Sequence, residues 1–173
     1  MKNIVLTGFM GTGKTAVGRE LSRLLNMELI DVDTEIEKSQ RITINEIFKK
    51  FGEPRFREIE TEMIQKLSEQ RNVIISTGGG AVLKQKNMDA LRKQGIIVCL
   101  MATPETILKR TNRSSNRPLL HVENPFARIK ELLHFRMPFY EKADIMIDTE
   151  GKTPLQIAEE IIEKVKEFTK SSY

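Results

Sequence analysis

The chain has 173 residues, of which 39% are hydrophobic and 30% charged, with 28 Lys and Arg against 24 Asp and Glu. This composition is typical of one soluble globular domain. No apolar run approaches the roughly 20 residues of a membrane span, and one cysteine with two separated histidines excludes an internal disulfide and a His/Cys zinc site. Basic residues are interleaved with acidic ones, which argues against a nucleic-acid partner, and the N-terminus is unlike a signal peptide, so we expect a cytoplasmic protein.

Short apolar strands alternate with amphipathic helices along the chain. Strands are predicted at residues 3–8, 28–33, 73–77, 96–101 and 144–148. Helices are predicted at residues 14–26, 44–51, 53–70 and 104–111, then from 125 to about 139 and from 154 to about 170. A capping box of Thr43 and Glu46 marks the start of the second helix. Buried strands separated by helices imply βαβ units, hence an α/β fold with a parallel sheet covered on both faces.

Glycine-rich or polar clusters follow four of these strands. They are "GFMGTGKT", "DVD", "TGGG" and "DTEGKTP". Because ligands of parallel sheets bind at the carboxyl ends of the strands, we expect these clusters to converge on one edge of the sheet. Residues 111–124 form the longest irregular stretch, and that length predicts a mobile lid.

The sequence "GFMGTGKT" follows a predicted strand and opens a predicted helix, which is the context that a phosphate-binding loop requires. Gly11 and Gly13 let backbone N–H groups turn toward phosphate oxygens, and the helix N-terminus adds positive potential. Lys14 would reach the β- and γ-phosphates, and Thr15 would offer its hydroxyl to Mg²⁺. The loop predicts binding of a nucleoside triphosphate but does not identify the phosphate acceptor.

Two aspartates and two arginines are candidates for handling the acceptor. Asp31 and Asp33 end the second predicted strand, where one carboxylate near Mg²⁺ and one that accepts a hydroxyl proton would suit a kinase. Capping of a following helix is the alternative role for these aspartates. The NKxD motif of a GTPase is absent. Arg57 and Arg136 would together match a small carboxylate, although sequence spacing alone cannot bring them together.

The ordered set "GFMGTGKT", "DVD", "FREIE", "STGGG", "RPLL", "FRMPFY" and "IDTEGKTP" resembles the shikimate kinase family over residues 3–168. The resemblance implies a three-layer α/β/α fold whose five-stranded parallel sheet has the order 2-3-1-4-5. It also implies a single P-loop kinase domain over residues 1–173. Within it, about residues 32–60 would bind the substrate, and about residues 111–124 would form the lid.

The resemblance assigns the TGGG loop to the acceptor. Its backbone N–H groups would hold the shikimate ring at Gly78, Gly79 and Gly80, since glycine lets a ligand approach the backbone without a Cβ in the way. Asp33 would accept a hydrogen bond from the reacting 3-hydroxyl. The remaining implied acceptor residues are a carboxylate clamp (Arg57 and Arg136), an acid that orients Arg57 (Glu60) and an aromatic wall (Phe48 and Phe56).

The resemblance also implies that ATP is bound by the phosphate loop, a lid arginine and a loop near the C-terminus. These nucleotide-binding residues are Gly11, Thr12, Gly13, Lys14, Thr15, Ala16, Arg110, Arg117, Lys152 and Thr153. Thr15 and Asp31 would support Mg²⁺, the implied cofactor. Lys14, Arg117 and Asp33 would be the catalytic residues, with Arg117 carried on the lid.

The predicted reaction is phosphorylation of the 3-hydroxyl of shikimate by ATP, carried out by a monomer without nucleic-acid or membrane partners. Three alternatives remain open. A kinase for another polyol acid, such as gluconate, would not need the TGGG loop with paired arginines. A nucleoside monophosphate kinase would need a base-reading pocket where "FREIE" stands. A nucleotide-dependent binding protein would bind ATP without transferring phosphate.

Overall fold

The computed structural model describes residues 2–112 and 118–171. Within these ranges the chain forms five strands: β1 (Asn3–Gly8), β2 (Glu28–Asp31), β3 (Val73–Ser76), β4 (Gly95–Met101) and β5 (Ile145–Asp148). The same ranges contain seven α-helices: α1 (Lys14–Leu25), α2 (Val32–Gln40), α3 (Ile44–Ser68), α4 (Gln85–Gln94), α5 (Pro104–Thr111), α6 (Pro125–Tyr140) and α7 (Pro154–Ser171). Short 3-10 turns cover Ala81–Leu83 and Pro118–Leu120.

The described strands form a parallel sheet in the order β2-β3-β1-β4-β5, which confirms the predicted order. The central strand β1 pairs with β3 on one side, where Ile4 lies opposite Ile74, and with β4 on the other, where Ile4 lies opposite Ile96. All six residues of β1 are buried. This burial is expected for a parallel strand that helices cover on both faces.

Successive residues of β1 point to opposite faces of the sheet and enter two hydrophobic cores. Val5 packs in the larger core, which α2, α3, α4 and α6 cover. Ile4 and Leu6 pack in the second core, which α1 and α7 cover. The predicted three-layer α/β/α arrangement is therefore confirmed. In the two described ranges, none of the helices has the length and apolar character needed to cross a membrane.

The second strand is shorter than the sequence pattern predicts. β2 ends at Asp31 and α2 starts at Val32, so the prediction of a strand through residue 33 is wrong. Asp31 keeps an extended backbone, and its Oδ1 accepts a hydrogen bond from the N–H of Thr34 at 3.0 Å, which makes it the N-cap of α2. As a result, Asp33 lies in the first turn of a helix.

The start of α3 follows the prediction. The Thr43 hydroxyl accepts from the N–H of Glu46 at 3.2 Å, and the Glu46 carboxylate accepts from the N–H of Thr43 at 2.8 Å, which confirms the capping box. The helix is interrupted at Gly52, whose φ of 77° and ψ of 172° are not helical. The two helices predicted on either side of this glycine are therefore present as two parts of α3.

Candidate active site

A cleft of about 810 Å³ lies at the edge of the sheet where β1, β2 and β3 end. Its walls come from the loop after β1, the first turns of α1, helix α2, the N-terminus of α3 and the loop after β3. Three of the four predicted clusters therefore converge on one site. The fourth cluster, residues 148–154, contributes none of the residues that line this cleft.

The loop after β1 folds around its own lysine. Lys14 Nζ donates hydrogen bonds to the carbonyl oxygens of Gly8 at 2.7 Å and Phe9 at 2.9 Å. Gly13 caps α1 with a φ of 96°, a left-handed conformation that residues with a Cβ disfavour. Gly13 and Lys14 line the cleft at the N-terminus of α1, so an ammonium group and a helix end, both of which attract anions, lie at the same wall of the cleft.

Helix α5 is held at both of its ends. Near its C-terminus, Arg110 Nη1 donates to the carbonyl oxygen of Gly11 at 3.1 Å. At its N-terminus, the Glu150 carboxylate accepts from the N–H of Thr103 at 2.8 Å and from the hydroxyl of Thr106 at 3.0 Å. The hydrogen bond from Thr103 lowers the pKa of Glu150. The helix therefore connects the loop after β5 to the loop after β1.

Most of the predicted nucleotide-binding residues lie together. Those that line the cleft are Gly11, Gly13, Lys14, Thr15, Ala16 and Arg110. Thr12 is buried beneath the loop, where its hydroxyl donates to the carbonyl oxygen of Phe9 at 2.8 Å. Its backbone N–H donates to the same oxygen at 3.3 Å, so Thr12 braces the phosphate loop and does not itself line the cleft.

Lys152 and Thr153 are not brought into this cleft. Lys152 Nζ donates to the carbonyl oxygen of Asp148 at 2.9 Å and pairs with Glu160 at 2.7 Å. The Thr153 hydroxyl accepts a hydrogen bond from the first turn of α7 at 3.2 Å. Both side chains are thus engaged at the start of the last helix. Arg117, the predicted lid arginine, lies outside the described residues.

Both predicted aspartates line the cleft. Asp31 Oδ1 accepts hydrogen bonds from the N–H and the hydroxyl of Thr34, at 3.0 and 3.2 Å, whereas its Oδ2 accepts none from any described residue. Asp33 lies beside the TGGG loop, since its Oδ1 is 3.2 Å from the point that a Cβ on Gly78 would occupy. The structure therefore places Asp33 and the start of the TGGG loop in the same corner of the cleft.

Arg57 lies between two carboxylates. Its Nη1 donates to Glu60 at 2.9 Å, and its Nη2 donates to Glu53 at 3.2 Å. Glu60 is fully buried, and burial raises its pKa against the opposing effect of the Arg57 guanidinium. Burial lowers the pKa of Arg57, but the two carboxylates outweigh burial and raise it. Arg57 also lies against the TGGG loop, since a Cβ on Gly80 would be 2.6 Å from its Nη1.

Arg136 is buried on α6, with only 2% of its surface exposed. Its guanidinium carbon lies 5.5 Å from the centroid of the Phe9 ring, and its Nη1 is 3.3 Å from the point that a Cβ on Gly79 would occupy. Nε and Nη1 have no hydrogen-bond partner in the described part of the chain. A buried cation with unsatisfied donors is costly, so this position favours an anionic ligand group.

The two predicted wall residues, Phe48 and Phe56, pack against each other with ring centroids 4.9 Å apart. Phe56 is buried in the larger core, and the Arg57 guanidinium lies 5.1 Å above its ring. Neither phenylalanine lines the main cleft. Phe56 therefore supports the Arg57 guanidinium, and Phe48 packs against Phe56.

Sequence reasoning missed two side chains that hold the TGGG loop and Arg57 in place. Tyr140 donates a hydrogen bond to the carbonyl oxygen of Gly79 at 2.6 Å. Lys84 Nζ donates to the carbonyl oxygen of Arg57 at 3.1 Å. Tyr140 could have been suspected, because it follows Arg136 by one helical turn and so shares its face of α6. No sequence signal marks Lys84.

Known proteins resemble this chain over nearly its full length. A family model described as shikimate kinase matches residues 10–166. A shikimate kinase of Thermodesulfovibrio yellowstonii is 54% identical over 169 residues, which cover 98% of each chain. The solved shikimate kinase from Acinetobacter baumannii in complex with shikimate has a TM-score of 0.94 and 40% identity, covering 96% of this chain and 94% of that one.

The solved structure of a gluconokinase from Sinorhizobium meliloti also matches, covering 99% of this chain and 95% of that one. Its TM-score is 0.61 and its sequence identity is 16%, so this match shows a similar fold and nothing about the substrate. The resemblance on the sequence motifs, the sheet order and these matches agree with one another. This chain belongs to the shikimate kinase family.

Proposed function

We propose that this chain transfers the γ-phosphoryl group of ATP to the 3-hydroxyl of shikimate, giving ADP and shikimate 3-phosphate on the route to aromatic amino acids. The observation that carries the proposal is the contact between the TGGG loop and the phosphate loop. A Cβ on Gly79 would lie 3.2 Å from the backbone nitrogen of Met10 and 3.3 Å from Arg136 Nη1. An acceptor held by this loop is therefore adjacent to the phosphate site, as direct transfer requires.

The proposed acceptor site has two guanidinium groups that could bind the carboxylate of a substrate. It also has an aspartate that could accept a hydrogen bond from a substrate hydroxyl. We assign the shikimate carboxylate to Arg57 and Arg136, because both guanidinium groups lie against the TGGG loop and guanidinium matches carboxylate geometry. Asp33, in the corner beside Gly78, would accept the hydrogen bond of the 3-hydroxyl. The backbone N–H groups of residues 78–80 would complete the site, and Glu60 would keep Arg57 in place.

The donor site offers cations and backbone N–H groups for phosphate. Lys14 now bonds two neutral carbonyl oxygens, and phosphate oxygens would compete for it because charge-assisted hydrogen bonds are the stronger ones. The backbone of residues 11–16 and Arg110 would complete phosphate binding from within the cleft. We assign Arg117 to the phosphates from the lid, and Lys152 and Thr153 to the adenine side through their backbone.

Mg²⁺ fits the residues that are present. Thr15 and Asp31 both line the cleft, and Oδ2 of Asp31 accepts no hydrogen bond from the described residues. These are hard oxygen donors, and Mg²⁺ in phosphoryl-transfer sites takes its other ligands from phosphates and water. When bound, the ion would neutralise charge on the β- and γ-phosphates.

The transfer depends mainly on positioning and charge. A bond forms between the 3-oxygen of shikimate and the γ-phosphorus, while the bond from that phosphorus to the bridging oxygen of ADP breaks. Asp33 orients the hydroxyl and takes its proton. Lys14 and Arg117 offset the charge on the moving phosphoryl group. Closure of the lid would exclude water and so suppress ATP hydrolysis.

We also propose that residues 1–173 act as one kinase domain, with the acceptor site in residues 32–60 and the lid in residues 111–124, and that it works as a monomer in the cytoplasm. The large exposed hydrophobic side chains support a monomer, because they are scattered over separate elements. They are Leu24, Phe51, Val122, Phe135 and Leu155. A dimer mass in light scattering would contradict this proposal.

The test is ADP release from Mg-ATP with shikimate, gluconate and nucleoside monophosphates supplied separately. We expect stimulation by shikimate alone, and loss of that stimulation with excess EDTA. Lys14→Ala serves as the control for contaminating kinases. Stimulation by gluconate or a monophosphate would overturn the assigned acceptor. ATP binding without a response to any acceptor would instead support a nucleotide-dependent binding protein.

A further inference from the structure

Tyr140 is a fully buried tyrosine whose hydroxyl donates a hydrogen bond to the carbonyl oxygen of Gly79 at 2.6 Å. It is the last residue of α6 and lies one turn after Arg136, so both side chains leave the same face of the helix. Burial raises the pKa of Tyr140 to about 12, against the opposing effect of the nearby Arg136 guanidinium. The phenol therefore stays protonated, as a donor, throughout the neutral pH range.

This hydrogen bond fixes a whole peptide group. The described peptide bonds are trans, so the Gly79 carbonyl and the Gly80 N–H lie in one plane and point in opposite directions. Gly80 itself lies against the guanidinium of Arg57, since a Cβ on Gly80 would be 2.5 Å from its Cζ. Among the described residues, no acceptor is bonded to the N–H of Gly79 or of Gly80. One donor next to Arg57, the N–H of Gly80, is thus held in a fixed direction.

The same peptide borders the phosphate loop. The point that a Cβ on Gly79 would occupy is 3.2 Å from the Met10 nitrogen and 3.4 Å from the Gly8 carbonyl oxygen. Rotation of the peptide between Gly79 and Gly80 would therefore change two things together. It would redirect the N–H of Gly80, and it would alter the contact between the TGGG loop and the phosphate loop.

Other hydrogen bonds in this region do not restrain that peptide. The N–H of Ala81 donates to the carbonyl oxygen of Gly78 at 3.2 Å, and Asn87 donates to the carbonyl oxygen of Ala81 at 2.9 Å. These bonds hold the residues on either side. Within the described ranges, the Gly79 carbonyl is bonded to Tyr140.

We propose that Tyr140 is a positioning residue for phosphoryl transfer, whose hydroxyl holds the Gly79–Gly80 peptide so that its N–H and the Arg136 guanidinium face the acceptor together. The inference rests on the proposed function, because it concerns the acceptor loop of that same reaction. Tyr140 acts through Gly79 and touches neither substrate.

The test is Tyr140→Phe, which removes the hydroxyl and keeps the ring that fills the core. We expect kcat/KM for shikimate to fall about 10-fold, the size of one ordinary hydrogen bond, while the KM for ATP stays within twofold. An unchanged kcat/KM in the variant, beside a normal wild-type response to shikimate, would overturn the inference alone. A wild-type protein that does not respond to shikimate would overturn the proposed function and the inference with it.

Ser68→Ala is the matched control. Its buried hydroxyl also donates to a backbone carbonyl, that of Gln65 at 2.8 Å, but at the far end of α3. We expect wild-type kinetic constants from this variant. Equal losses in the two variants, or an equal rise of both KM values in Tyr140→Phe, would assign the effect to general loosening and overturn the inference.

A second measurement does not depend on how the variant folds. In isotope-labelled wild-type protein, shikimate alone should shift the amide resonance of Gly80 and slow its hydrogen exchange. These changes would show that the N–H held by Tyr140 meets the acceptor. A Gly80 amide that does not respond to saturating shikimate would overturn the inference.

Discussion

Replacing Gly80 with alanine is expected to displace Arg57 without straining the backbone. Gly80 has a φ of −96° and a ψ of −1°, which alanine adopts freely. The new Cβ would lie 2.5 Å from Cζ and 2.6 Å from Nη1 of Arg57, far inside the ordinary contact range of 3.4–4 Å. The guanidinium must therefore move by about 1 Å, which breaks the present geometry of its 2.9 Å ion pair with Glu60.

The displacement of Arg57 should weaken both shikimate binding and the stability of the fold. Loss of one charge-assisted hydrogen bond between Arg57 and the acceptor carboxylate costs about 1.5–3 kcal/mol, which raises the KM for shikimate about 10- to 150-fold. The KM for ATP should not change, because Arg57 lies on the acceptor side. Stability should fall as well, by up to about 3–5 kcal/mol, since Glu60 is fully buried and loses its partner. Protonation of Glu60, whose pKa burial already raises, limits that loss.

Steady-state kinetics of a double-mutant cycle separate this cause from a general defect. The four proteins are the wild type, Gly80→Ala, Arg57→Ala and the double variant. In the Arg57→Ala background, the new Cβ meets no guanidinium, so Gly80→Ala should change the KM for shikimate by less than about twofold, as for independent sites. Full additivity, or a wild-type KM in Gly80→Ala, would refute the steric reasoning.

The further predictions concern three single residues. Asp33→Asn should lower kcat about 100-fold or more, because we assign its carboxylate to the acceptor hydroxyl, and a parallel loss of ATP affinity in calorimetry would contradict that role. Lys14→Ala should lower turnover about 100-fold or more, and near-normal turnover would refute the phosphate-loop assignment. Cys99 should resist alkylation in the native protein at pH 8, because burial raises its pKa from 9.0 to about 11 and the thiolate is the reactive form. Above pH 9 the unfolded chain binds fewer protons at this thiol than the folded chain, so the free energy of unfolding should fall as pH rises, and less so in Cys99→Ala.

The sequence allows most element positions to be predicted, because the signals involved are local. The capping box at Thr43 and the apolar run of β1 each act within a few residues. The order of the strands in the sheet, by contrast, does not depend on local signals. Pairing of Ile4 with both Ile74 and Ile96 depends on packing across the whole sheet, so periodicity could not supply it, and the prediction came from the family resemblance.

Two helices escaped the prediction for identifiable reasons. Helix α2 starts at Val32, which is buried as a strand residue would be, so the pattern of β2 continues smoothly across the boundary. Helix α4 is mostly polar and buries only a narrow face, at Asn87, Met88 and Leu91, and no side chain caps its start. The start of α2 has a local signal in its N-cap, Asp31, whereas the start of α4 has none.

The parts of the candidate site that lie in glycine-rich loops at strand ends could be predicted from the sequence. The parts formed by side chains from different helices could be predicted less well. Arg57 and Arg136 lie on α3 and α6, and nothing local indicates that both reach the TGGG loop. Burial of Arg136 depends on the packing of α6, which the sequence does not reveal. The side chains of Lys152 and Thr153 are bonded to residues of α7. A short sequence motif does not show that these partners would compete with a nucleotide for the two side chains.

The length of helix α5 sets the distance between the loop after β5 and the loop after β1. Its eight residues span about 12 Å at 1.5 Å per residue, and the helix is fastened to Glu150 at one end and to the carbonyl oxygen of Gly11 at the other. The spacing between these two attachment points is therefore set by the number of residues in the helix. Deleting one residue would shorten it by about 1.5 Å and turn Arg110 by about 100° away from Gly11. Substitutions at the exposed Glu105 and Lys109 should be tolerated because they keep the length of α5, whereas insertions and deletions should not.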